Sequence, residues 1–336
     1  MTDPKIRFAA IGLNHNHIYG QTRAMLDAGC ELAACFAREP ELAARYQQVF
    51  PQARLAESER EVLEDESIQL ILTAGIPDER APLGVRAMQH GKDFMSDKGA
   101  PTTLEQLAEV RQVQRETGRI YSVCFSERFE VPAVVKAQEL VAQGAIGRVV
   151  QTIGLGPHRI NLPDRPAWFF QKAHYGGILT DIASHQFDQF LYFTGSTSAR
   201  VSAAAVANYK YPQYPEFEDF GQVMLEGSGG SGYVRVDWYT PDGLGVWGDG
   251  RLVILGLEGY IEIRKYVDVL GRPGGNHLFL VNQHVSQYYD CSDVELAYGK
   301  QLAYDILNRT ETAMPQEHCF LALELALKAQ AQAVHQ

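Results

Sequence analysis

The chain has 336 residues, 46% of them hydrophobic and 21% charged, a globular composition with enough material for two domains. Its formal net charge of -11 disfavours nucleic acid and anionic membrane surfaces as partners, because both require a basic face. No apolar run approaches the roughly 20 residues needed to cross a bilayer, so no membrane association is expected.

The cysteines indicate the compartment. There are five, an odd number, and no Cys-x-x-Cys pair occurs, which disfavours structural zinc and favours reducing conditions. The segment from Met1 to Arg7 has no signal-peptide pattern and runs directly into a strand pattern. We therefore expect a cytoplasmic protein.

Strand and helix patterns alternate through the first third of the chain. The predicted strands are Ile6–Ile11, Glu31–Ala37, Ile68–Ala74, Asp93–Ser96 and Ile120–Phe125. The predicted helices are Ile18–Ala28, Glu39–Val49, Pro82–His90 and one that begins after a cap at Thr102 or Thr103. This alternation predicts an α/β Rossmann domain, a doubly wound parallel sheet that binds a dinucleotide, over residues 1–125.

After about Ser126 the pattern changes to a helix followed by consecutive strands. The helix covers Pro132–Gln143, and a strand begins near Arg148. The further strand patterns are Val201–Tyr209, Gln222–Leu225, Tyr233–Tyr239, Leu252–Leu255 and Tyr260–Lys265. Helices near Val294–Asn308 and Glu317–Val334 close the chain.

These elements predict an α+β domain with a large, mostly antiparallel open sheet over residues 126–336, for substrate binding and oligomerisation. The glycine-rich segment Gly227–Gly232 is followed by a strand and no helix, so it is interpreted as a hairpin turn and not as a phosphate loop. An open sheet face predicts burial against another subunit, hence a homodimer or homotetramer.

A paired glycine, Gly176-Gly177, opens an apolar helix pattern that carries Asp181 and His185. Four residues is about one helical turn, which predicts that both side chains leave the same face of one helix. A carboxylate beside an imidazole can move a proton near neutral pH. The alternative is that Asp181 caps the helix and His185 is a buried structural histidine.

The turn after the first strand is Gly12-Leu13-Asn14-His15-Asn16-His17. Of the dinucleotide fingerprint Gly-x-Gly-x-x-Gly it keeps Gly12, whereas Asn14 and His17 occupy the other two glycine positions. The helix N-terminus can still hold a phosphate through its free N–H groups and its dipole. We therefore predict cofactor contacts at Gly12, Asn14, His15 and His17.

The second strand is followed by Ala37-Arg38-Glu39, where an acidic residue usually holds the ribose hydroxyls. Arg38 could stack on adenine or pair with a 2′-phosphate, which would favour NADP. Glu39 could instead serve NAD. A third interpretation is that both are surface charges at the start of the next helix.

Another strand ends in Asp97-Lys98-Gly99, so Lys98 is expected in the ligand crevice at the carboxyl edge of the sheet. It is followed by Thr102-Thr103, Arg128-Phe129, Gly144–Val149, the Gly176–His185 segment and Glu218-Asp219-Phe220. This succession resembles the glucose–fructose oxidoreductase/inositol dehydrogenase (Gfo/Idh/MocA) family of NAD(P)-dependent oxidoreductases. Two segments depart from the family pattern. Asp97-Lys98-Gly99 has Asp97 in place of Glu and Gly99 in place of Pro, and Gly75-Ile76-Pro77 stands in place of Thr-Pro-Asn.

The resemblance implies hydride transfer between NAD or NADP and a hydroxyl or carbonyl of a sugar, inositol or related polyol. It places Lys98 near the nicotinamide and the reacting hydroxyl, with Asp181 completing the site and His185 as the acid/base. Arg38 and Pro77 join the expected cofactor contacts. The candidate substrate contacts are Arg128, Arg159, Trp168, His174 and Tyr175.

Two other functions stay open from the sequence. The eroded glycine turn is compatible with a non-redox homologue that binds a sugar or a nucleotide. His15 and His17, with Asp181 and His185, have residue types and spacing compatible with a metal site. The prediction adopted is the oxidoreductase, with no residue assigned as a metal ligand.

Overall fold

The computed structural model describes residues 5–336, and the chain divides into two compact units. Among the described residues, the first unit is 5–124 together with Ala297–Phe320, and the second is Phe125–Leu296 with Leu321–Gln336. The sequence-based prediction assigned all of 126–336 to the second domain. It did not separate Ala297–Phe320, because no local sequence pattern shows that a later segment packs in an earlier unit. The expected absence of a signal peptide rests partly on residues 1–4, which lie outside the described residues.

The first unit holds a six-stranded parallel sheet in the order β3-β2-β1-β4-β5-β6. Its strands are β1 (Arg7–Ile11), β2 (Glu31–Phe36), β3 (Arg54–Leu55), β4 (Leu70–Thr73), β5 (Asp93–Asp97) and β6 (Tyr121–Cys124). Its first helices are α1 (His17–Asp27), α2 (Pro40–Val49), α3 (Glu59–Glu64), α4 (Pro77–Gln89) and α5 (Leu104–Thr117). This order confirms the predicted doubly wound Rossmann sheet.

Two short elements and one helix start differ from the prediction. β3 and α3 were not predicted, because two and six residues are too few to show a hydrophobic period. α4 begins at Pro77 and not at Pro82, so Pro82 lies inside the helix. Of the two candidate caps of α5, the Thr103 hydroxyl accepts the N–H of Gln106 at 3.2 Å.

The second unit holds a nine-stranded sheet in the order β14-β13-β12-β11-β7-β10-β9-β8-β15. The strands are β7 (Val149–Pro157), β8 (Ala199–Ala207), β9 (Phe220–Gly227), β10 (Ser231–Asp237), β11 (Arg251–Gly256), β12 (Gly259–Arg264), β13 (His277–Asn282), β14 (Ser286–Asp290) and β15 (Val334–His335). Only the β7–β10 and β8–β15 pairs are parallel among these described strands. The predicted open, mostly antiparallel sheet is confirmed, and so is the hairpin between β9 and β10.

The remaining helices are α6 (Ser126–Phe129), α7 (Pro132–Ala142), α8 (Lys172–Tyr175), α9 (Ile178–Asp181), α10 (Ser184–Thr194), α11 (Tyr298–Asn308) and α12 (Gln316–Gln332). Short 3-10 helices cover Leu162–Asp164, Ala167–Phe170 and Asp242–Leu244. α11 starts four residues after the predicted Val294. Within residues 5–336, no helix is both long enough and apolar enough to span a bilayer.

Glycines in the second sheet allow α10 to pack closely against it. A Cβ at Gly154 in β7 would lie 2.6 Å from Cγ of Gln186, and one at Gly232 in β10 would lie 2.8 Å from Cδ2 of Phe190. Any larger residue would therefore force the helix away from the sheet. These close contacts set the distance between the sheet and the helix that carries His185.

Candidate active site

The turn between β1 and α1 is held tightly against the end of β4. Gly12 has φ +75°, and a Cβ there would lie 2.9 Å from Cα of Gly75. The N–H of Gly12 donates to the carbonyl of Phe36 at 3.0 Å, and that of His15 donates to Ala74 at 2.9 Å. Only glycine fits at position 12, for both conformational and steric reasons.

A cleft in the first unit opens beside this turn. Its lining includes Gly12, Asn14, Arg38, Glu39, Gly75 and Ile76. The Asn14 amide donates to Glu39 Oε1 at 3.0 Å, which ties the first βα turn to the second. Pro77, predicted as a cofactor contact, is buried at the first position of α4, and its neighbour Ile76 lines the cleft instead.

Arg38 is exposed and is engaged by another side chain. Its guanidinium lies 2.6 Å from Glu79 Oε1. The hydrogen bond that Arg38 donates to Glu79, then the charges of Glu79, Glu59 and Glu39, raise the pKa of Arg38 against the opposing effect of burial. Arg38, the residue predicted as a possible partner of a 2′-phosphate, therefore has three carboxylates near it.

His15 and His17 both face the carboxylate of Asp97 at the end of β5. The His15 Nδ1 lies 3.2 Å from Asp97 Oδ2, and the His17 Nδ1 lies 2.8 Å from Asp97 Oδ1. The two rings meet edge to face with centroids 4.2 Å apart. In this first unit the two histidines of the turn are therefore directed at a carboxylate.

The buried Arg80 supports this carboxylate. Its Nη1 lies 3.3 Å from Asp97 Oδ2, and its Nε donates to the carbonyl of Gly75 at 2.7 Å. Burial alone would raise the pKa of Asp97, but His17, Arg80 and His15 together hold it well below its usual value. Burial, followed by the charge of His17, lowers the pKa of His15 to about 4, so its imidazole is neutral at pH 7.

Lys98 follows β5 and is 5% exposed. Its N–H donates to Asp97 Oδ1 at 2.8 Å, and its carbonyl accepts from the Arg80 guanidinium. The next residue, Gly99, has φ +82°, which a proline cannot adopt because its ring fixes φ near -65°. This backbone conformation explains why glycine stands where the family has proline.

In the second unit, the paired glycines before α9 serve a capping network. Gly176 and Gly177 have φ +79° and +94°. Glu218 Oε2 accepts the N–H of Ile178 at 2.9 Å, and Gln330 Oε1 accepts that of Leu179 at 2.9 Å. These two side chains satisfy N–H groups at the start of α9 that have no partner within the helix.

The predicted single helix with Asp181 and His185 on one face is wrong. Asp181 ends α9 and His185 lies in the first turn of α10, and the break falls between them. The Ser184 hydroxyl donates to the Asp181 carbonyl at 3.0 Å, and the His185 N–H reaches Ile182 at 3.3 Å, so the α-helical period is interrupted. Both side chains are nevertheless buried, at 8% and 2% exposure.

A buried ion pair that the sequence did not reveal neighbours His185. The Glu127 carboxylate accepts from Lys265 Nζ and from Gln186 Nε2, the latter at 2.8 Å. Burial alone would raise the pKa of Glu127, but Lys265, then His185 and His158, lower it to about 2. Only one feature of the sequence could have drawn attention to Glu127, namely its position directly before the Arg128-Phe129 motif.

Arg128, a predicted substrate contact, is buried and forms an ion pair with another buried side chain. Its Nε and Nη2 donate to the two carboxylate oxygens of Asp188 at 2.6 and 2.8 Å. Its guanidinium also covers the rings of Phe129 and Tyr192. This pairing was not predicted, because Asp188 lies 60 residues from Arg128 along the chain.

Two of the other predicted substrate contacts are also engaged structurally. The Arg159 guanidinium donates to the carbonyl of Pro241 at 2.8 Å. The hydroxyl of the buried Tyr175 donates to the Glu216 carbonyl and accepts the Glu218 N–H at 3.2 and 3.0 Å. Trp168 and His174 stay half-exposed.

A further arginine, which the sequence did not single out, lies near Asp181. Burial lowers the pKa of Arg165, and the charges of Asp181 and Asp164 oppose that effect. Its guanidinium covers the rings of Phe169 at 4.3 Å and Trp238 at 4.9 Å. Arg165 therefore supplies a cation beside the Asp181 carboxylate.

Comparison with known proteins places these features in a family. Residues 134–262 match the model of the GFO/IDH/MocA C-terminal domain. A crystal structure of a candidate oxidoreductase from Erwinia carotovora atroseptica SCRI1043 has a TM-score of 0.96 and 51% identity, covering 98% of this chain and 99% of that one. The chain belongs to the Gfo/Idh/MocA family.

Two curated relatives of this Gfo/Idh/MocA protein are named dehydrogenases. One is the scyllo-inositol 2-dehydrogenase (NAD+) of Bacillus subtilis strain 168, 27% identical over 66% of this chain and 64% of the relative. The other is the levoglucosan dehydrogenase of Pseudarthrobacter phenanthrenivorans, 28% identical over 59% and 51%. The chain thus spans about half to two thirds of these relatives. Family and fold are confirmed as predicted, and the relatives carry names of the predicted enzyme class.

Proposed function

We propose that this Gfo/Idh/MocA protein is an NAD-dependent oxidoreductase acting on a hydroxyl or carbonyl of a sugar, inositol or related polyol. The observation that carries the proposal is the cleft of the first unit, at the carboxyl ends of β1, β2 and β4. This edge, where the strand order reverses, is where open α/β sheets bind ligands. The two curated relatives, by their names, act on scyllo-inositol and levoglucosan.

The residues present fit a dinucleotide. Gly12 brings the backbone close to Gly75, and the start of α1 follows directly, so the positive end of the α1 dipole lies beside this turn. Gly12, Asn14 and Glu39 would hold the cofactor, which accepts or gives hydride when bound. Asn14 keeps Glu39 in place as an acceptor for ribose hydroxyls.

The charges around the second βα turn favour NAD over NADP. The Arg38 guanidinium is already paired with Glu79, and Glu39 and Glu59 lie near it. A 2′-phosphate would bring negative charge against these carboxylates, whereas a ribose diol can donate to Glu39. NAD is therefore the cofactor that we propose.

Lys98, Asp181 and His185 are the proposed catalytic residues. In the oxidation direction a bound nicotinamide would take the hydride from the substrate carbon, and His185 would accept the hydroxyl proton. The anionic Glu127 nearby stabilises the resulting imidazolium. Lys98 stabilises the negative charge that develops on the substrate oxygen, and Asp181 orients the hydroxyl.

Calorimetric titration of the purified protein with NAD, NADH, NADP and NADPH tests the cofactor. We expect binding of the NAD pair and binding of the NADP pair at least tenfold weaker. Glu39→Gln should weaken NAD binding, whereas the exposed Glu41→Gln should leave it unchanged. If the folded protein bound none of the four nucleotides, the proposed oxidoreductase function would be rejected. Tighter binding of NADP than of NAD would reject the proposed choice of NAD.

A polyol screen then tests the substrate class. We expect NADH formation with at least one cyclic polyol or sugar, and scyllo-inositol and levoglucosan are the first compounds to assay. The matched control is Lys98→Met, which should bind NAD but form no NADH above about one hundredth of the unmodified rate. Turnover of simple alcohols with no polyol turnover would contradict the proposed class.

We also propose that the protein forms a homodimer or homotetramer through the face of the second sheet opposite α10. That face leaves Met224, Leu255 and Tyr260 exposed at 56%, 41% and 40%. Covering them against a second copy would bury apolar surface. Light scattering at micromolar concentration should give a multiple of 37.4 kDa, reduced by Leu255→Asp, and a monomer would contradict the proposal.

A reducing compartment, the cytoplasm, is the proposed location. All five cysteines are buried, and none forms a disulfide within residues 5–336. Cysteines without disulfides are typical of proteins kept under reducing conditions. Fractionation of producing cells should recover the protein with cytoplasmic markers, and recovery with secreted markers would overturn this.

A further inference from the structure

Three metal-ligating side chains of the first unit converge on one point. One ligand atom from each of His15, His17 and Asp97 lies within 4.8 Å of the other two. Across residues 5–336, no other trio drawn from His, Cys, Asp and Glu converges in this way. The sequence suggested Asp181 and His185 as companions of the two histidines, whereas the structure supplies the carboxylate of Asp97.

The separations are close to those that a bound ion requires. Zinc bonds of about 2.0–2.2 Å to nitrogen and oxygen place neighbouring ligand atoms about 3–3.5 Å apart. Here the two Nδ1 atoms lie 3.2 and 2.8 Å from the Asp97 oxygens. Each histidine therefore lies close to a different oxygen of the one carboxylate, and the three groups are near enough to share an ion.

One oxygen of the Asp97 carboxylate has no aligned hydrogen-bond donor within the described chain. It is Oδ2, and it is buried. The Arg80 guanidinium and the His15 imidazole lie 3.3 and 3.2 Å from this oxygen. A buried acceptor without an aligned donor is costly, and a metal ion would satisfy it.

The three side chains are also held in place. The Lys98 N–H and Arg80 fix the carboxylate, and the His15 N–H is bonded to Ala74. The His15 Nδ1 is 3.4 Å from the N–H of His17, which donates to it, so this nitrogen carries a lone pair.

We propose that His15, His17 and Asp97 bind one divalent transition-metal ion, leaving at least one coordination position open. Two imidazole nitrogens and one carboxylate suit zinc, iron or manganese. Magnesium and calcium prefer ligand sets made wholly of oxygen. The site lies entirely within the first unit, and the proposal does not depend on the oxidoreductase function.

The test is metal titration of the full, untagged, chelator-treated protein in the absence of nucleotide. Calorimetry with Zn²⁺ and Mn²⁺ should give one equivalent of at least one ion per chain, and Mg²⁺ should give no saturable binding. His17→Gln should weaken binding more than about tenfold, since loss of groups that only support a ligand already costs 10–100-fold. The exposed His284→Gln removes an imidazole elsewhere and should leave the affinity unchanged.

A second variant, His15→Gln, guards against loss of folding in the first, and circular dichroism checks both. Absence of stoichiometric binding by the folded protein would overturn the proposal and leave the trio as a hydrogen-bonded network. Equal affinity of the unmodified protein and both folded variants would overturn it as well. A loss in His284→Gln as large as in His17→Gln would assign the binding to surface histidines and would also reject the site.

Discussion

Glu127 and Lys265 lie 138 positions apart in the chain and form an ion pair in which neither side chain is more than 2% exposed. Gln189 Oε1 accepts a second hydrogen bond from Lys265 Nζ at 3.2 Å, and Gln186 donates to Glu127. The charge of His185 acts on the same carboxylate. One buried pair thus joins the core of the second unit to the proposed acid/base.

Removal of the Lys265 ammonium should destabilise the fold. Lys265→Met leaves the Glu127 carboxylate buried without its counter-charge, which costs about 3–5 kcal/mol. Urea unfolding measures the loss. Arg60→Met, which breaks the exposed pair with Glu64, should cost less than about 1 kcal/mol, and equal losses in the two variants would contradict the assigned roles.

The same carboxylate should make stability fall in acid. The pKa of Glu127 is about 2 in the folded chain against 4.5 ordinarily, so its contribution is complete above 4.5 and declines as the pH falls toward 2. Glu127→Gln cannot titrate, and its free energy of unfolding should depend less on pH across that window. Chemical unfolding at several pH values checks this, and parallel curves for both proteins would refute it.

Arg128 should act on stability and not on substrate affinity. Arg128→Met leaves Asp188, which is fully buried, without its two hydrogen bonds and should cost about 3–5 kcal/mol. The exposed Arg200→Met, which loses a pair with Glu226, is the matched control and should cost less than about 1 kcal/mol. An unchanged unfolding curve with a raised KM would restore the predicted substrate contact.

Gly177 should tolerate no side chain. Its φ is +94°, and a Cβ would lie 2.2 Å from Oε1 of Gln330, which accepts the Leu179 N–H. Gly144 also has a positive φ, but a Cβ there meets nothing within 4 Å, so Gly144→Ala measures the backbone strain alone, about 1 kcal/mol. Thermal unfolding should show a clearly larger loss for Gly177→Ala.

A double variant separates the two causes. With Gln330→Ala as background the steric clash is absent, so the added cost of Gly177→Ala should fall toward that of Gly144→Ala. An undiminished cost would show that the clash with Gln330 is not the reason for glycine at this position.

The proposed catalytic residues should control turnover while leaving the fold intact. Lys98→Met and His185→Ala should each lower kcat about 10²–10⁴-fold, the usual contribution of acid/base assistance. Steady-state kinetics with the substrate found in the polyol screen measures this. The exposed Lys328→Met and His284→Gln are the controls, and near-normal activity in either test variant would remove that residue from the mechanism.

Local patterns were sufficient for most of the architecture. Apolar runs such as Ile68–Ala74 predicted buried parallel strands, and the Gly227–Gly232 turn predicted the β9–β10 hairpin. The break between Asp181 and His185 was missed because Ser184 bonds a carbonyl within an otherwise helical pattern. Hydrophobic periodicity does not show where a side chain forms a hydrogen bond with a helix carbonyl.

By itself, the sequence determined the family, the two fold types and the positions of Lys98, Asp181 and His185 along the chain, because motifs and hydrophobic periods are local properties. Only the tertiary structure decided which charges meet. Arg128 pairs with Asp188, Glu127 with Lys265, and Asp97 with His15 and His17, across separations of 60 to 138 residues. Such partners are selected by where the strands and helices pack, since a buried charge must find its counter-charge in space and not along the chain.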